Sequence, residues 1–139
     1  MRTVVLVAAA LALAWVSAGC GVQPSEPIGG SAATGALVYL VRDDTVVPVL
    51  RPTKQPTTGA RALALLAEGP NGREQAQGLT TAVPPGTAPV LSGNTITVAT
   101  DVSTLPEVAV SQLVCTAAAA EPLTLVGGGH RRGPLTCPV

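Results

Sequence analysis

The sequence predicts a small α+β domain: a mixed or antiparallel sheet with two helices packed on one face. Three observations point there. Two segments, one from Ala60 to Glu68 and one through Val110 to Ala117, place apolar residues at helical spacing. The remaining apolar runs are short and bounded by Gly, Pro, Asp and Asn, which is the punctuation of strands. Strand-like and helix-like segments mix along the chain without a repeated βαβ alternation, so a doubly wound parallel sheet is not expected.

Ala36 to Val41 (ALVYLV) and Thr45 to Leu50 (TVVPVL) flank Arg42-Asp43-Asp44 and predict a β-hairpin. Pro48 has no N–H to give to a ladder, which places the second strand at an edge. Arg51 to Gly59 is a loop by its prolines and threonines. In the helix from Ala60 to Glu68, Thr58 can cap the start, and Leu63, Leu66 and Ala67 share one face. Gly69-Pro70 ends it. Asn71, three residues before Glu74, signals a capping box for one further turn through Gln77.

Leu79 to Val83 reads as a short strand, and Pro84-Pro85-Gly86-Thr87 as a turn. Pro89 to Leu91 and Thr95 to Thr100 flank Ser92-Gly93-Asn94 as a second hairpin, with Ile96 and Val98 on one face. The second helix is expected to start at Ser103 or Thr104 with Pro106 in its first turn. Val110, Leu113, Val114 and Ala117 form its buried stripe, and Glu121-Pro122 ends it. Leu123 to Val126 is a strand. Gly127 to Gly133 reads as a Gly- and Arg-bearing turn, with Pro134 to Val139 returning as an edge strand.

The organisation before this domain is different. Met1-Arg2 precedes an unbroken apolar run from Val4 to Val16, followed by the small residues Ser17, Ala18 and Gly19. That is the charged, apolar and small-residue order of a secretory signal. The run is shorter than the roughly 20 apolar residues a bilayer span requires. Val16-Ser17-Ala18-Gly19-Cys20 resembles the lipobox of bacterial lipoproteins, although Ser17 stands where Leu is usual. The resemblance implies diacylglycerol on Cys20 and cleavage before it. Ser17-Ala18-Gly19 also suits ordinary signal peptidase, which would release a free secreted chain. The expected division is a signal peptide at 1–19, lipidated Cys20 with a flexible tether to residue 35, and a domain at 36–139. The tether, GVQPSEPIGGSAATG after Cys20, spans about 20 Å as a Gly/Ser-rich coil.

Composition excludes several function classes. The 139 residues carry 8 Lys/Arg and 8 Asp/Glu, and loss of Arg2 with the signal leaves a balance of −1. No field of one sign is present to attract nucleic acid. There is no Phe, the one Trp lies in the signal at Trp15, and Tyr39 is the one Tyr. Stacking platforms for bases or sugars are therefore essentially missing. Of three cysteines, Cys115 and Cys137 remain once Cys20 is lipidated, and an oxidising compartment favours their pairing. The plainer alternative makes Cys115 a small core residue and Cys137 a tail thiol.

The motifs together resemble the GerMN domain, named for sporulation and spore germination proteins. The residues that carry the resemblance begin with Val38-Tyr39-Leu40, Val47 to Arg51, and Leu65-Leu66-Ala67-Glu68-Gly69-Pro70. Glu74, Gly78-Leu79, Pro85-Gly86-Thr87, Thr100-Asp101-Val102-Ser103 and Gln112 to Thr116 continue it. It covers about Ala36 to Val126. Ala67 replaces a larger aliphatic residue and Cys115 an aromatic of the family pattern. The resemblance implies a compact domain similar to ring-building motifs, which assemble through their edges in envelope complexes. It implies no catalytic residues.

The residues themselves form no catalytic constellation. His130 is the single His, with no carboxylate near it in sequence, which rules out a triad by spacing. A metal centre needs three or four ligands, and His130 with Cys137 falls short. His130, Arg131 and Arg132 in the Gly-rich turn are candidates for contact with an anion such as a phospholipid headgroup. The sequence thus predicts a non-enzymatic lipoprotein without cofactor, on the outer face of the cytoplasmic membrane. Its expected partners are the membrane and an envelope protein or a second copy, met through a free sheet edge, with no nucleic acid. The alternative is a binding module for a small ligand or a wall or lipid component.

Overall fold

A computed structural model describes residues 34–139. The expected signal, Cys20 and nearly all of the tether lie outside the described residues. Strands β1 (Gly35–Arg42) and β2 (Thr45–Pro52) form an antiparallel hairpin. Helices α1 (Gly59–Ala67) and α2 (Gly72–Ala76) follow, then β3 (Val90–Ser92) and β4 (Thr95–Thr97). Helix α3 (Glu107–Ala117) precedes β5 (Leu123–Gly127) and β6 (His130–Leu135). The fold is α+β, as the patterning predicts. It has two sheets and three helices among the described residues, where one sheet and two helices were expected. The second sheet runs β3-β4-β5-β6 and is mixed: β4 and β5 are parallel, the other pairs antiparallel.

Both long hairpins turn through two residues with positive φ. Asp43 and Asp44 sit at 49° and 59°, Gly128 and Gly129 at 63° and 78°. This left-handed pair matches the twist of the flanking strands. Asp tolerates it better than most residues, and Gly tolerates it without strain. The expected turn from Gly127 to Gly133 is therefore confined to two residues. Strand β6 begins at His130, so Arg131 and Arg132 lie on a strand.

The core contains Ala36, Val38 and Leu40 from β1, and Ala62, Leu63 and Leu66 from α1. Helix α3 adds Ala109, Val110, Leu113, Val114 and Ala117; β4 and β5 add Ile96, Leu123 and Leu125. Among the described residues no aromatic side chain belongs to it, and the fully buried core runs from Ala36 to Leu125. Ala62, one position before Leu63, completes the buried face of α1, while Ala67 is exposed. Thr58 caps α1 as expected, its side chain accepting from the Arg61 amide. Gly59 lies against the end of α3: a Cβ there would collide with the Ala117 carbonyl.

Helix α3 is buried around most of its circumference, including the polar Gln112 and Thr116. The reason lies on β1. Its Tyr39 amide donates to Thr116 Oγ1 at 3.0 Å, and its Tyr39 carbonyl accepts from Gln112 Nε2 at 2.8 Å. Val41 exchanges both backbone hydrogen bonds with Thr80, each at 2.8 Å. Gln112 Oε1 also accepts from the Ala82 amide at 2.8 Å. Tyr39 and Val41 thus direct their backbone away from β2, into the edge that a third strand would otherwise take. The expected strand from Leu79 to Val83 is reduced to this single bridge at Thr80, because Gln112 takes the next available amide.

Antiparallel pairing fixes the other edge as well. Tyr39 opposes Pro48 and Gly35 opposes Pro52, so both prolines occupy positions whose N–H would point outward from β2. Two of the outward donors of that edge are missing, which blunts it against a further strand. The expected capping of α3 by Ser103 or Thr104 is also corrected. Pro106 is the N-cap, without a side-chain bond, while Ser103 and Thr104 close a turn onto Asp101. The helix stops at Ala117, where Ala118 turns left-handed at φ 50°.

Gln112→Leu keeps the volume and removes the amide group. It leaves the Tyr39 carbonyl and the Ala82 amide buried without partners, at about 1–3 kcal/mol each. Urea unfolding should show a loss of about 2–5 kcal/mol. A loss below about 1 kcal/mol would mean water satisfies both groups.

Candidate functional site

Two polar clusters and one cleft are the places where chemistry could reside. The first cluster centres on Arg51, on the inward face of β2. Its Nε and one terminal nitrogen grip both oxygens of Glu74 at 2.8 and 2.7 Å. The same guanidinium donates to the Leu65 and Gly69 carbonyls at 2.6 and 2.7 Å, meeting the end of α1. Glu74 also accepts from the Asn71 amide at 2.7 Å, while Asn71 Oδ1 accepts from the Glu74 amide: the capping box that the sequence predicts. The side chains are 13% and 7% exposed, so water screens the pair weakly. The Arg51 hydrogen bond lowers the Glu74 pKa against burial, which opposes it, with help from the Asn71 amide. Four guanidinium N–H bonds hold β2, α1 and α2 together.

The second cluster lies at the β5–β6 hairpin. Asp101 Oδ1 accepts from the Ser103 amide at 2.8 Å and the Ser103 hydroxyl at 2.7 Å. His130 Nδ1 meets the same oxygen at 3.0 Å. The expectation of a His without a carboxylate is thereby corrected: 29 residues of sequence separate two groups that the fold brings together. Gly128 lets Asp101 in, since a Cβ there would overlap the Asp101 side chain. The Ser103 bonds, first from its hydroxyl and then from its amide, keep Asp101 below its ordinary pKa, with His130 assisting.

Ser103, Asp101 and His130 do not make a nucleophilic triad. The Ser103 hydroxyl donates to the Asp101 carboxylate rather than to the His130 ring, which a triad would require. The arrangement is that of a hairpin tied to a loop.

Arg132 is committed in a similar way. It donates to the Leu105 carbonyl at 2.8 Å and the Val102 carbonyl at 3.3 Å, and pairs with Glu107. The expected anion trio is therefore dispersed: His130 faces a carboxylate, Arg132 pins the approach to α3, and Arg131 lies exposed on β6 with no ion-pair partner among the described residues. The partners of His130 and Arg132 were not legible locally, since neither pairing follows a helical or strand spacing.

Cys115, on α3, is disulfide-bonded to Cys137, with a Cα–Cα distance of 4.7 Å. The bridge fastens the segment after β6 to the helix, and closing this loop contributes about 3 kcal/mol in the chain-entropy view. Cys20 lies outside the described residues. Among the described residues no group of three His, Cys, Asp or Glu could hold a metal ion. No described helix is long and apolar enough to cross a membrane. A cleft of about 370 Å³ lies beside the loop after β2 and is lined by Thr53, Lys54, Thr57, Thr58 and Arg61 among others.

Comparison with protein-family models, with curated proteins and with solved structures finds no match.

The Arg51–Glu74 pair carries a pH dependence. Because the folded Glu74 pKa lies below the ordinary 4.5, its carboxylate contributes stability that is complete above that value. This contribution is lost as pH falls through the lowered folded value. Glu74→Gln should be less stable at neutral pH, and its stability should fall less steeply than that of the parent on acidification below about pH 4.5. Parallel curves from urea unfolding at several pH values would contradict this role.

Proposed function

We propose that the chain is an exported lipoprotein, anchored through Cys20, whose domain is a non-catalytic module for contact with another envelope protein. The supporting observation is the outer face of the β1–β2 hairpin. Leu37 and Leu50 face each other across the two strands and are 41% and 43% exposed. Tyr39, Val46 and Pro48 continue the same apolar face along the next rungs. The opposite face of β1 is closed into the core, so the hairpin carries apolar side chains on both faces. A contiguous exposed apolar strip on a small domain is a surface for association.

The face replaces the sheet edge as the contact surface, because Pro48 and Pro52 deprive the β2 edge of donors. The GerMN resemblance, with its implied assembly in envelope complexes, points the same way.

Two measurements test the reading separately. A mature mass equal to the chain from Cys20 plus diacylglycerol is expected, with Cys20→Ser released from membranes. Retention of Cys20→Ser after a high-salt wash would count against the anchor. For the contact, a photo-crosslinking residue at position 50 of the full chain in cells should capture one envelope protein reproducibly. Leu37→Asp should abolish that adduct. Self-crosslinks alone would indicate homo-assembly, and adducts at Val90 with none at position 50 would move the contact to another face.

A further inference from the structure

The two sulfurs of the Cys115–Cys137 bridge stand in unlike surroundings. Cys115 is 3% exposed, on α3 between the buried Val114 and Thr116, while Cys137 is an exposed residue. Strand β6 ends at Leu135, the partner of Leu123. None of residues 136–139 takes part in a strand pairing or in a backbone hydrogen bond between elements. The bridge is what ties this tail to α3. Where the tail meets the end of α3 it walls a cavity of about 250 Å³, whose other sides include Val114, Ala118, Leu123 and Leu135. Among the described residues the fully buried core residues all precede β6, so the tail can leave without opening them.

We propose that this bridge is a redox latch, opened at Cys137 by a dithiol reductant of the Cys-x-x-Cys class, which frees residues 136–139 and uncovers the Val114, Leu123 and Leu135 wall of the cavity. Thiol–disulfide exchange needs a thiolate to reach one sulfur of the bridge, and its rate follows access. The helix and its neighbours enclose Cys115, so Cys137 is the sulfur open to attack. A reductant thiolate bonds to the Cys137 sulfur, the bond between the two cysteines breaks, and Cys115 leaves as a thiolate that takes a proton from solvent. The reductant's second thiolate then attacks its own partner sulfur in the mixed disulfide. Cys137 leaves as a thiolate, and the reductant carries away the new disulfide, two electrons having passed to the cysteine pair. Cys115 remains in α3 as a buried thiol, which packs as a small apolar group. Its neighbour Thr116 keeps the bond to the Tyr39 amide, so release is confined to the tail. The latch works with or without lipid on Cys20.

The test uses the full chain with Cys20→Ser in mild detergent, which leaves Cys115 and Cys137 as its cysteines. A Cys-x-x-Cys dithiol protein whose second cysteine is replaced by serine is added, and adducts are located by peptide mass. The mixed disulfide should form at Cys137 and not at Cys115. On reduction with dithiothreitol, the methyl NMR signals of Val114, Leu123 and Leu135 should shift while the Tyr39 and Leu40 amide signals stay in place. Reoxidation should reverse the shifts, and Cys137→Ser should show the reduced spectrum without any reductant. Adducts at Cys115, or none on the folded protein, would overturn Cys137 as the point of attack. Loss of the domain's circular dichroism on reduction would overturn the latch, since the bridge would then hold the whole fold. Unshifted Val114, Leu123 and Leu135 signals in the reduced protein would overturn it too, because the tail would then stay docked.

Discussion

The fold depends on how the second edge of β1 is closed. A strand at the centre of a small domain has two rows of backbone groups, and β2 satisfies one row only. The other row would be buried beneath α3 without partners. Gln112 and Thr116, both fully buried, reach out of the helix and take the Tyr39 amide and carbonyl, while Thr80 takes those of Val41. The Gln112 amide group then extends the closure to Ala82. A helix thereby does the work of a strand edge, which is why the hairpin stands as a sheet of its own beside β3 to β6.

This closure determines what the surface presents. With its inner face in the core and one edge sealed, the hairpin is fixed in place, and Arg51 adds a second attachment through Glu74 to α1 and α2. The outer face with Leu37 and Leu50 stays exposed.

The legible parts of the sequence were those whose physics is local. Thr58 as a cap, the Asn71–Glu74 box and the stripe from Val110 to Ala117 depend on residues within one or two turns, and each stands in the structure. Closure of β1 was hidden because its partners lie 73 and 77 residues apart. Gln112 and Thr116 read as ordinary polar interruptions of an amphipathic helix, with nothing nearby to assign them a strand. The segment from Leu79 to Val83 has the composition of a strand, but a side chain occupies the place where its ladder would continue. Around the β5–β6 hairpin, two glycines were enough to make the turn. The remaining Gly-Arg segment could then extend, sending Arg132 toward Leu105 and Glu107 and leaving no shared anion site with His130.

Native-state hydrogen exchange at Tyr39 is the most direct measurement of this arrangement. Its amide faces away from β2, and its protection rests on Thr116 alone. If α3 seals the edge, Tyr39 should exchange only through global unfolding, as slowly as Leu40, which is fully buried on the core side of the same strand. Exchange at Tyr39 orders of magnitude faster than at Leu40 would mean that this side of β1 is an open edge, and would contradict the closure on which the fold rests.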